Sequence, residues 1–271
     1  MKIAFIGGGN MASALISGLA GKFTPGSNIH VVDPNPEALE RIRQAHGVTV
    51  ALDIGDEVRL SEVVVMAVKP QQMREAAALL VPQLGAGTLV LSIAAGIRSA
   101  DLSRWLGGHR AIVRTMPNTP ALVKRGITGM VAMDGVSEAQ KTAADAIMKA
   151  AGQTVWLDDE ALIDPVTAVS GSGPAYVFYF LEAMQQAAQE LGLSEEQGRE
   201  LAVATFAGAA ELAARSPDSL QVLRERVTSK GGTTYAAITS MEESGVKDAV
   251  VKAVKAAAAR ARELGNEMGA D

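Results

Sequence analysis

Cysteine is absent from this chain of 271 residues. Its absence excludes disulfide bonds, a thiolate nucleophile and any cysteine-ligated metal site. It also agrees with a reducing compartment, where disulfides rarely persist. With 48% hydrophobic and 20% charged residues, the chain has the composition of a protein that buries an apolar core.

Long apolar runs and charge clusters are missing as well. No run approaches the roughly 20 residues that span a bilayer, and the apolar part of MKIAFIGGGN is too short to predict a signal peptide. The 25 basic and 30 acidic residues are scattered and give a net charge of -5, which argues against nucleic acid as the main partner. We expect a cytoplasmic protein with neither a membrane nor a nucleic-acid partner.

Motifs for metal binding and acid–base chemistry are also scarce. The three histidines, His30, His46 and His109, lie outside any motif, and we expect all three at the surface. No HExxH motif or carboxylate cluster indicates a metal site, so we expect no metal. An enzyme that acts on an alcohol needs a general base, and neither Lys124 nor Lys230 has an evident orienting partner. Reduction of a C=N bond does not need this base, because a protonated imine is itself the electrophile.

The first half of the sequence alternates short β-branched runs with helical stretches, which predicts a doubly wound α/β sheet. Several of the strands are apolar without alternation, as expected for parallel strands that are covered on both faces. The predicted strands are residues 2–6, 29–33, 63–68, 88–93, 111–115, 128–134 and 154–158. The predicted helices between them are residues 10–21, 36–46, 71–83 and 98–106.

The strand patterns stop after about residue 160. The remaining sequence predicts helices at residues 161–169, 174–191, 195–214, 218–227, 233–243 and 246–268. We therefore expect an α/β protein with two domains. The first is an N-terminal Rossmann-like doubly wound sheet over residues 1–160, and the second is an all-α C-terminal domain over residues 161–271.

One predicted helix carries the segment AYVFYFL (residues 175–181), which is apolar without interruption. A helix that is apolar on all faces must be buried on all faces. Either the centre of a monomeric domain or a subunit interface would bury it. We favour the interface, because a small helical domain has little core of its own.

The segment FIGGGNMA has the pattern Gly7-x-Gly9-x-x-Ala12 between a predicted strand and a predicted helix. In a dinucleotide-binding fold the first glycine permits the tight turn and the second lets the backbone approach the pyrophosphate. The small third residue allows close helix–strand packing, and the phosphates meet the helix N-terminus. The context makes a chance glycine turn the weaker interpretation.

Asp33 ends the second predicted strand, 21 residues after Ala12. This is close to the spacing of the acid that binds the adenosine ribose. A carboxylate there accepts hydrogen bonds from ribose hydroxyls and repels a 2′-phosphate. No arginine follows directly, although Asn35 and Arg41 lie near in sequence. The pattern favours NAD without excluding NADP, and a plain turn acid before Pro34 is the alternative.

Two loops follow predicted strands at the edge where such sheets bind ligands. AVKPQQM (residues 67–73) presents Lys69, and RTMPNTPALV (residues 114–123) presents Asn118 between two prolines. Both also fit ordinary turns.

The segment VTSKGGTTYAAI (residues 227–238) places two glycines and several hydroxyl side chains before the predicted helix 233–243. The start of a helix carries unsatisfied N–H groups and partial positive charge, which suits a carboxylate. Glycines let a ligand come close, and Thr234 is placed to reach a ring nitrogen. A simple threonine N-cap after a glycine C-cap would need only one residue of each kind.

Five segments together resemble pyrroline-5-carboxylate reductases along essentially the whole chain: GGGNMA, AVKPQ, RTMPNTPALV, AVSGSGPAYVF and VTSKGGTTYAAITSMEE. The resemblance implies reduction of the cyclic imine Δ1-pyrroline-5-carboxylate to L-proline, with NADPH or NADH, as the last step of proline biosynthesis. It also implies that the C-terminal domain is a dimerisation domain, and that a homodimer of intertwined helical domains completes the substrate pocket. Such dimers often assemble into decamers.

The resemblance also implies the site residues. Those expected around the pyrophosphate are Gly7, Gly9, Asn10, Met11 and Ala12. Those expected near the nicotinamide and its ribose are Ala67, Val68, Lys69, Pro70 and Asn118. Those expected in the substrate pocket are Ser229, Gly231, Gly232, Thr233 and Thr234. Thr234 and Lys69 are the catalytic candidates. Family members that favour NADPH often carry Ser, Asn, Thr or Arg where this chain has Asp33, so cofactor preference stays open.

Two alternatives share the predicted architecture. A hydroxyacid or phosphogluconate-type dehydrogenase would carry a catalytic lysine on an early helix of the second domain, where SGSGPAYVFYFLEAMQQAAQELG has none. A non-catalytic dinucleotide-sensing module would bind the cofactor without turning it over.

Overall fold

The computed structural model describes residues 1–270, which form two compact units. The first unit comprises Met1–Ser172 and the residues from Ala257 onward, and the second comprises Gly173–Ala256. The predicted domain boundary at residue 160 stays a prediction, and it lies 12 residues before the end of the first continuous segment.

The first unit contains one eight-stranded sheet. Its strands are β1 (Ile3–Ile6), β2 (Ile29–Val32), β3 (Thr49–Ala51), β4 (Val63–Met66), β5 (Leu89–Ser92), β6 (Ile112–Met116), β7 (Gly126–Ala132) and β8 (Gly152–Trp156). They are ordered β3-β2-β1-β4-β5-β6-β7-β8, and all neighbours are parallel except β6 and β7. The strand order reverses beside β1, and sheets of this class bind ligands at the carboxyl ends of the strands at that point.

Helices cover both faces of this sheet. They are α1 (Asn10–Leu19), α2 (Pro36–His46), α3 (Asp56–Arg59), α4 (Met73–Leu80), α5 (Ser99–Trp105), α6 (Glu138–Lys149) and α7 (Ile163–Val166). Because side chains alternate along a strand, Ile3 and Phe5 join the core cluster on one face, while Ala4 and Ile6 join the cluster on the other. All four residues of β1 are buried, which is why the strand is apolar without alternation.

The predicted α/β fold is confirmed, and the differences lie in short or interrupted elements. Strand β3 was not predicted, because it has three residues and none of them is buried. Helix α6 was also missed, although Ser137 and Gln140 form a capping box at its start. The predicted helix 71–83 is α4 with a 3-10 turn on either side, and the predicted helix 161–169 is α7 followed by a π-helical turn at Thr167–Gly171.

The prediction that all three histidines lie at the surface is wrong for His30, which is 8% exposed. His30 lies in β2, and the unpredicted strand β3 pairs with β2 and covers its outer edge. Without β3, β2 would be an edge strand with an accessible histidine. His46 and His109 are partly exposed.

The second unit is entirely helical. Its helices are α8 (Gly173–Glu190), α9 (Glu195–Arg215), α10 (Leu220–Arg226), α11 (Thr233–Glu243) and the part of α12 (Val246–Gly269) that ends at Ala256. Only Gly198 and Ala202 are buried among residues 173–256. In the apolar segment of α8, Phe178 and Tyr179 are 59% and 72% exposed. A single chain therefore leaves this helix uncovered, as a subunit interface requires.

The last turns of α12 belong to the first unit. The guanidinium of Arg98 donates a hydrogen bond of 2.6 Å to the side chain of Asn266, and Arg104 donates to the carbonyl of Gly269 at 3.0 Å. A side chain at Gly265 would contact the Arg98 guanidinium at about 3.2 Å, so glycine permits this close approach. The last turns of α12 are thus held against α5 and the residue that precedes it.

Candidate functional site

The glycine-rich loop leads from β1 into α1 and holds the ends of the central strands together. Gly7 has φ +105, and a Cβ atom there would lie 2.7 Å from the carbonyl of Ala67. Both the left-handed backbone and this close approach require glycine. The N–H group of Gly7 donates to the carbonyl of Val32 at 2.7 Å. The loop therefore lies between the carboxyl ends of β2 and β4 and joins a strand to a helix, as the sequence motif predicts for that connection.

The beginning of α1 has the form of an anion-binding helix terminus. Gly9 is the N-cap, and no atom lies within 4 Å of the position that its Cβ would occupy. Asn10 and Met11 are in the first turn, where backbone N–H groups lack helical acceptors. The side chain of Ala12 is 1% exposed and packs in the core, so only its backbone faces the loop region.

A cleft of about 630 Å³ opens at the carboxyl ends of these strands. Six of the predicted cofactor residues line it: Gly7, Gly9, Asp33, Ala67, Val68 and Lys69. Pro70 is not among the lining residues; it begins a 3-10 turn directly after Lys69. The sequence prediction of a dinucleotide site and the position of the cleft thus coincide at the strand-order reversal.

Asp33 lies at the end of β2 with its carboxylate held by two backbone N–H groups. Oδ2 accepts a hydrogen bond from Gly8 at 2.7 Å, and Oδ1 accepts one from Asn35 at 2.9 Å. The first bond ties Asp33 to the glycine-rich loop. Each carboxylate oxygen has further acceptor capacity, so ribose hydroxyls would find a fixed pair of acceptors.

Three polar residues of the cleft were missed by the sequence analysis: Asp53, Gln72 and Glu75. Asp53 follows β3, so recognising that strand would have placed it beside Asp33. Gln72 and Glu75 lie at the start of α4. The sequence signal that could have found them is their position at the start of the helix that follows a strand.

Asn118 lies outside the lining of this cleft and is 9% exposed. Its Nδ2 group donates to the carbonyl and the hydroxyl of Ser170 at 3.3 and 3.2 Å. Its Oδ1 atom accepts a hydrogen bond from the backbone N–H of Ile127 at 3.0 Å. The amide therefore connects the loop after β6 to β7 and to the π-helical turn.

An ion pair between a buried arginine and a partly exposed glutamate supports the neighbouring strand ends. Arg114, in β6, is 4% exposed, and its guanidinium donates to the carboxylate of Glu160 at 2.8 Å. The same carboxylate oxygen accepts the backbone N–H of Ser99, the first residue of α5, at 2.7 Å. Glu160 thus joins β6 to the start of α5.

The second predicted site lies in the helical unit, at the beginning of α11. Helix α11 starts at Thr233, with Gly232 as its N-cap. Gly231 has φ +76, which favours glycine, and Gly232 donates to the carbonyl of Ser229 at 3.0 Å. Because the N-cap has no side chain, the hydroxyls of Thr233 and Thr234 are not the caps of this helix.

The structure places the five predicted substrate residues on one turn. Ser229, Gly231, Thr233 and Thr234 are exposed in the single chain, and Gly232 is partly exposed. The adjacent cleft of about 400 Å³, which includes Lys230 and Tyr235, is lined by none of the five. The helix terminus has the donors to bind a carboxylate, and the single chain leaves it open.

Residues 1–270 have neither the side-chain clusters of a metal site nor a membrane-spanning helix. No cluster of three or more potential metal-ligating side chains occurs there. No helix in that range combines the length and apolar character needed to cross a bilayer.

Comparison with protein families gives matches to both halves of the chain. Residues 160–264 match the family described as pyrroline-5-carboxylate reductase dimerisation. Residues 2–96 match the family described as NADP oxidoreductase, coenzyme F420-dependent. The first match includes the whole helical unit, and the second includes the glycine-rich loop and the cleft.

Individual proteins match over nearly the full length. The chain is 45% identical to the pyrroline-5-carboxylate reductase of Pseudomonas aeruginosa, across 99% of this chain and 98% of that protein. The solved structure of the Coxiella burnetii reductase superposes with a TM-score of 0.92 at 39% identity, covering 97% and 98% of the two chains. The Plasmodium falciparum pyrroline carboxylate reductase with NADP bound superposes with a TM-score of 0.86 at 29% identity, covering 98% of each chain.

Proposed function

We infer that this chain, which belongs to the pyrroline-5-carboxylate reductase family, reduces Δ1-pyrroline-5-carboxylate to L-proline with NADPH or NADH. The observation that carries the inference is the 45% identity to one reductase across 99% of the chain. The site agrees with it, because the glycine-rich loop and the cleft suit a dinucleotide, and α11 presents donors for a carboxylate. The enzyme is an oxidoreductase of proline biosynthesis.

The dinucleotide occupies the cleft of the first unit. Its pyrophosphate lies against the backbone of Gly7 and Gly9 and the first turn of α1, formed by Asn10, Met11 and Ala12. Unsatisfied N–H groups and the helix dipole attract the phosphates there. Asp33 accepts hydrogen bonds from the adenosine ribose. The geometry that supports this placement is the fixed carboxylate and the open space beside Gly9.

The nicotinamide end lies toward the loop that follows β4. The backbone of Ala67, Val68 and Pro70 borders the ribose, and Lys69 offers an ammonium group to its hydroxyls. Asn118 acts near this end by holding the loop after β6, since its side chain is bonded to Ser170 and Ile127. The Asn118 side chain therefore positions the loop, and the loop backbone contacts the nicotinamide.

The substrate carboxylate binds the N-terminus of α11. The N–H groups of Thr233 and Thr234 and the partial positive charge of the helix terminus stabilise it. Gly231 and Gly232 let it approach the backbone, and the hydroxyls of Ser229 and Thr234 complete the polar surroundings. The Thr234 hydroxyl accepts a hydrogen bond from the protonated ring nitrogen and orients the imine carbon.

The bound dinucleotide supplies the hydride, which adds to the imine carbon while the C=N electron pair becomes the amine lone pair. The chain holds the protonated imine in place and excludes water, and no side chain has to act as the general base that an alcohol substrate would need.

The functional unit is a homodimer formed through the helical units. Two observations support this interface. The second unit buries almost none of its own residues, and aromatic residues of α8, including Phe178 and Tyr179, are exposed. The match to the dimerisation family covers the same helices. Assembly of dimers into a decamer stays a prediction.

The test is oxidation of NADH and of NADPH by the purified protein with pyrroline-5-carboxylate, followed by the loss of reduced-nicotinamide absorbance. We expect turnover with both a reductant and the imine present, and L-proline as the product by chromatography. Oxidation of a hydroxyacid without imine reduction would support the dehydrogenase alternative. Cofactor binding without turnover of either substrate would support the sensing module.

A further inference from the structure

The cleft carries a charge arrangement that bears on the choice between the two cofactors. NADPH differs from NADH by one phosphate on the 2′-hydroxyl of the adenosine ribose. Three carboxylates line the cleft, those of Asp33, Asp53 and Glu75, against one ammonium group, that of Lys69. The 2′-phosphate of NADPH, which is a dianion, would therefore enter a negatively charged part of the cleft.

Asp33 and Asp53 come to the same edge through strand pairing. Strand β3 runs parallel to β2 with Val32 opposite Ala51, so both chains leave the sheet side by side. Asp33 is the first residue after β2, and its N–H donates to the carbonyl of Ala51 at 3.2 Å. Asp53 is the second residue after β3, and both aspartates line the cleft.

The ammonium group of the cleft, that of Lys69, comes after a different strand from the two aspartates. Lys69 follows β4, and the order β3-β2-β1-β4 puts β4 two strands from β2 and three from β3. At about 4.8 Å per strand, these separations are roughly 10 and 15 Å. Both separations exceed the Debye length of about 8 Å at physiological salt, so Lys69 neutralises the two aspartates weakly.

The N-terminus of α2 is the other positive feature at this end, and its donors are already used. The Oδ1 atom of Asn35 accepts hydrogen bonds from the N–H groups of Glu37 and Ala38 at 3.0 and 3.2 Å. Glu37 also places a carboxylate in the first helical turn. The N-terminus of α2 therefore does not offer free N–H donors to a 2′-phosphate.

We propose that Asp53, together with Asp33, is a determinant of cofactor choice that disfavours the 2′-phosphate of NADPH and makes this reductase prefer NADH. The proposal rests on the proposed function for the reaction and adds the specificity of its cofactor cleft. Asp33 supplies fixed acceptors for the two ribose hydroxyls, which a phosphate cannot satisfy because it also only accepts. Asp53 adds the like charge that makes the region unfavourable for a dianion.

The experiment measures kcat/KM for NADPH and for NADH with pyrroline-5-carboxylate, and compares their ratio between variants. Asp53→Asn should raise the NADPH-to-NADH ratio at least about threefold by removing one like charge near the phosphate. Asp33→Ser should raise the ratio further. Because Asp33 also holds Gly8, that variant should bind NADH more weakly as well. Glu138→Gln, which neutralises an exposed carboxylate at the start of α6 and outside the cleft, is the control and should leave the ratio unchanged.

Salt dependence separates charge from shape. Raising the salt from about 50 to 500 mM should increase the NADPH-to-NADH ratio of the native enzyme, because salt screens the repulsion. The increase should be smaller in Asp53→Asn. An unchanged ratio in Asp53→Asn, or an equal shift in Glu138→Gln, would overturn the proposal.

A binding measurement keeps this proposal distinct from the proposed function. Calorimetry with AMP and with adenosine 2′,5′-bisphosphate reports on the ribose end without any reaction. The native protein should bind the bisphosphate more weakly relative to AMP than Asp53→Asn does. If neither cofactor supports imine reduction, the proposed function fails, and this comparison still decides the role of Asp53.

Discussion

The Nδ1 atom of His30 lies 2.9 Å from the Oγ1 atom of Thr49, which joins β2 to the short strand β3 through their side chains. His30 is 8% exposed, and its Nε2 atom is buried without a hydrogen-bond partner among the described residues. This buried environment favours the neutral imidazole over the charged form. This arrangement gives the stability of the protein a defined pH dependence.

Burial lowers the pKa of His30 below its ordinary value of 6.5, and the nearby carboxylate of Glu57 opposes the shift. Because the folded pKa is the lower one, the unfolded chain binds more protons as the pH falls through about 6.5. The free energy of unfolding should then decrease by up to about 1.4 kcal/mol per pH unit below that point. His30→Gln cannot take up the proton and should show a flatter profile.

The measurement is denaturant unfolding of both proteins at several values between about pH 7.5 and 5.5. His46, whose pKa is also lowered by burial, gives the comparison variant His46→Gln, which should flatten the profile less because His46 is less buried. Parallel profiles for the native protein and His30→Gln would show that His30 does not carry the effect.

Gly232→Val tests the carboxylate site at the start of α11. A Cβ atom at this position would meet the carbonyl of Ser229 at 3.1 Å. We expect the two methyl groups of valine to crowd a carboxylate away from the adjacent N–H groups. We expect a large increase in KM for the imine, with little change in NADH affinity measured by fluorescence, since the glycine-rich loop is untouched. Gly232→Ala should give an intermediate KM. An unchanged KM in both variants would contradict carboxylate binding at this turn.

Thr234→Ala tests the hydrogen bond to the ring nitrogen. Loss of a bond worth about 1.4 kcal/mol in the transition state lowers turnover roughly tenfold, while the backbone N–H groups still hold the carboxylate. Thr234→Ser keeps the hydroxyl and should retain most of the activity. Ser240→Ala, on the same helix but outside the predicted site, is the control for general effects on α11. Equal kcat values for Thr234→Ala and the native enzyme would remove Thr234 from the mechanism.

Tyr179→Lys tests assembly through α8. Tyr179 is 72% exposed in the single chain, so a lysine there would be harmless to a monomer. In a packed interface it would place an unpaired charge among apolar groups. We expect light scattering to show a lower mass for Tyr179→Lys at micromolar concentration, and Tyr179→Phe to assemble like the native protein. A native protein that is monomeric and fully active would refute the interface.

Local patterns in the sequence were sufficient wherever neighbours along the chain determine the structure. The turn at Gly7 needs a left-handed backbone that glycine adopts readily, so the start of α1 could be recognised from the sequence. The bounds of α11 were predicted correctly because glycines precede an uninterrupted helical pattern at Thr233. The buried apolar strands were found for the same reason, since burial on both faces leaves a continuous apolar run.

Pairing between distant segments decided what the sequence did not reveal. Strand β3 is too short to produce a pattern of its own, yet its pairing with β2 buries His30 and brings Asp53 beside Asp33. The loop that carries Asn118 has the composition of a ligand-binding loop. The contacts of Asn118 with Ser170 and Ile127, however, determine what its side-chain amide does. Spacing along the chain predicts backbone conformation, because that energy is local. The surroundings of a side chain depend on contacts between residues far apart in sequence, and only the tertiary structure specifies those.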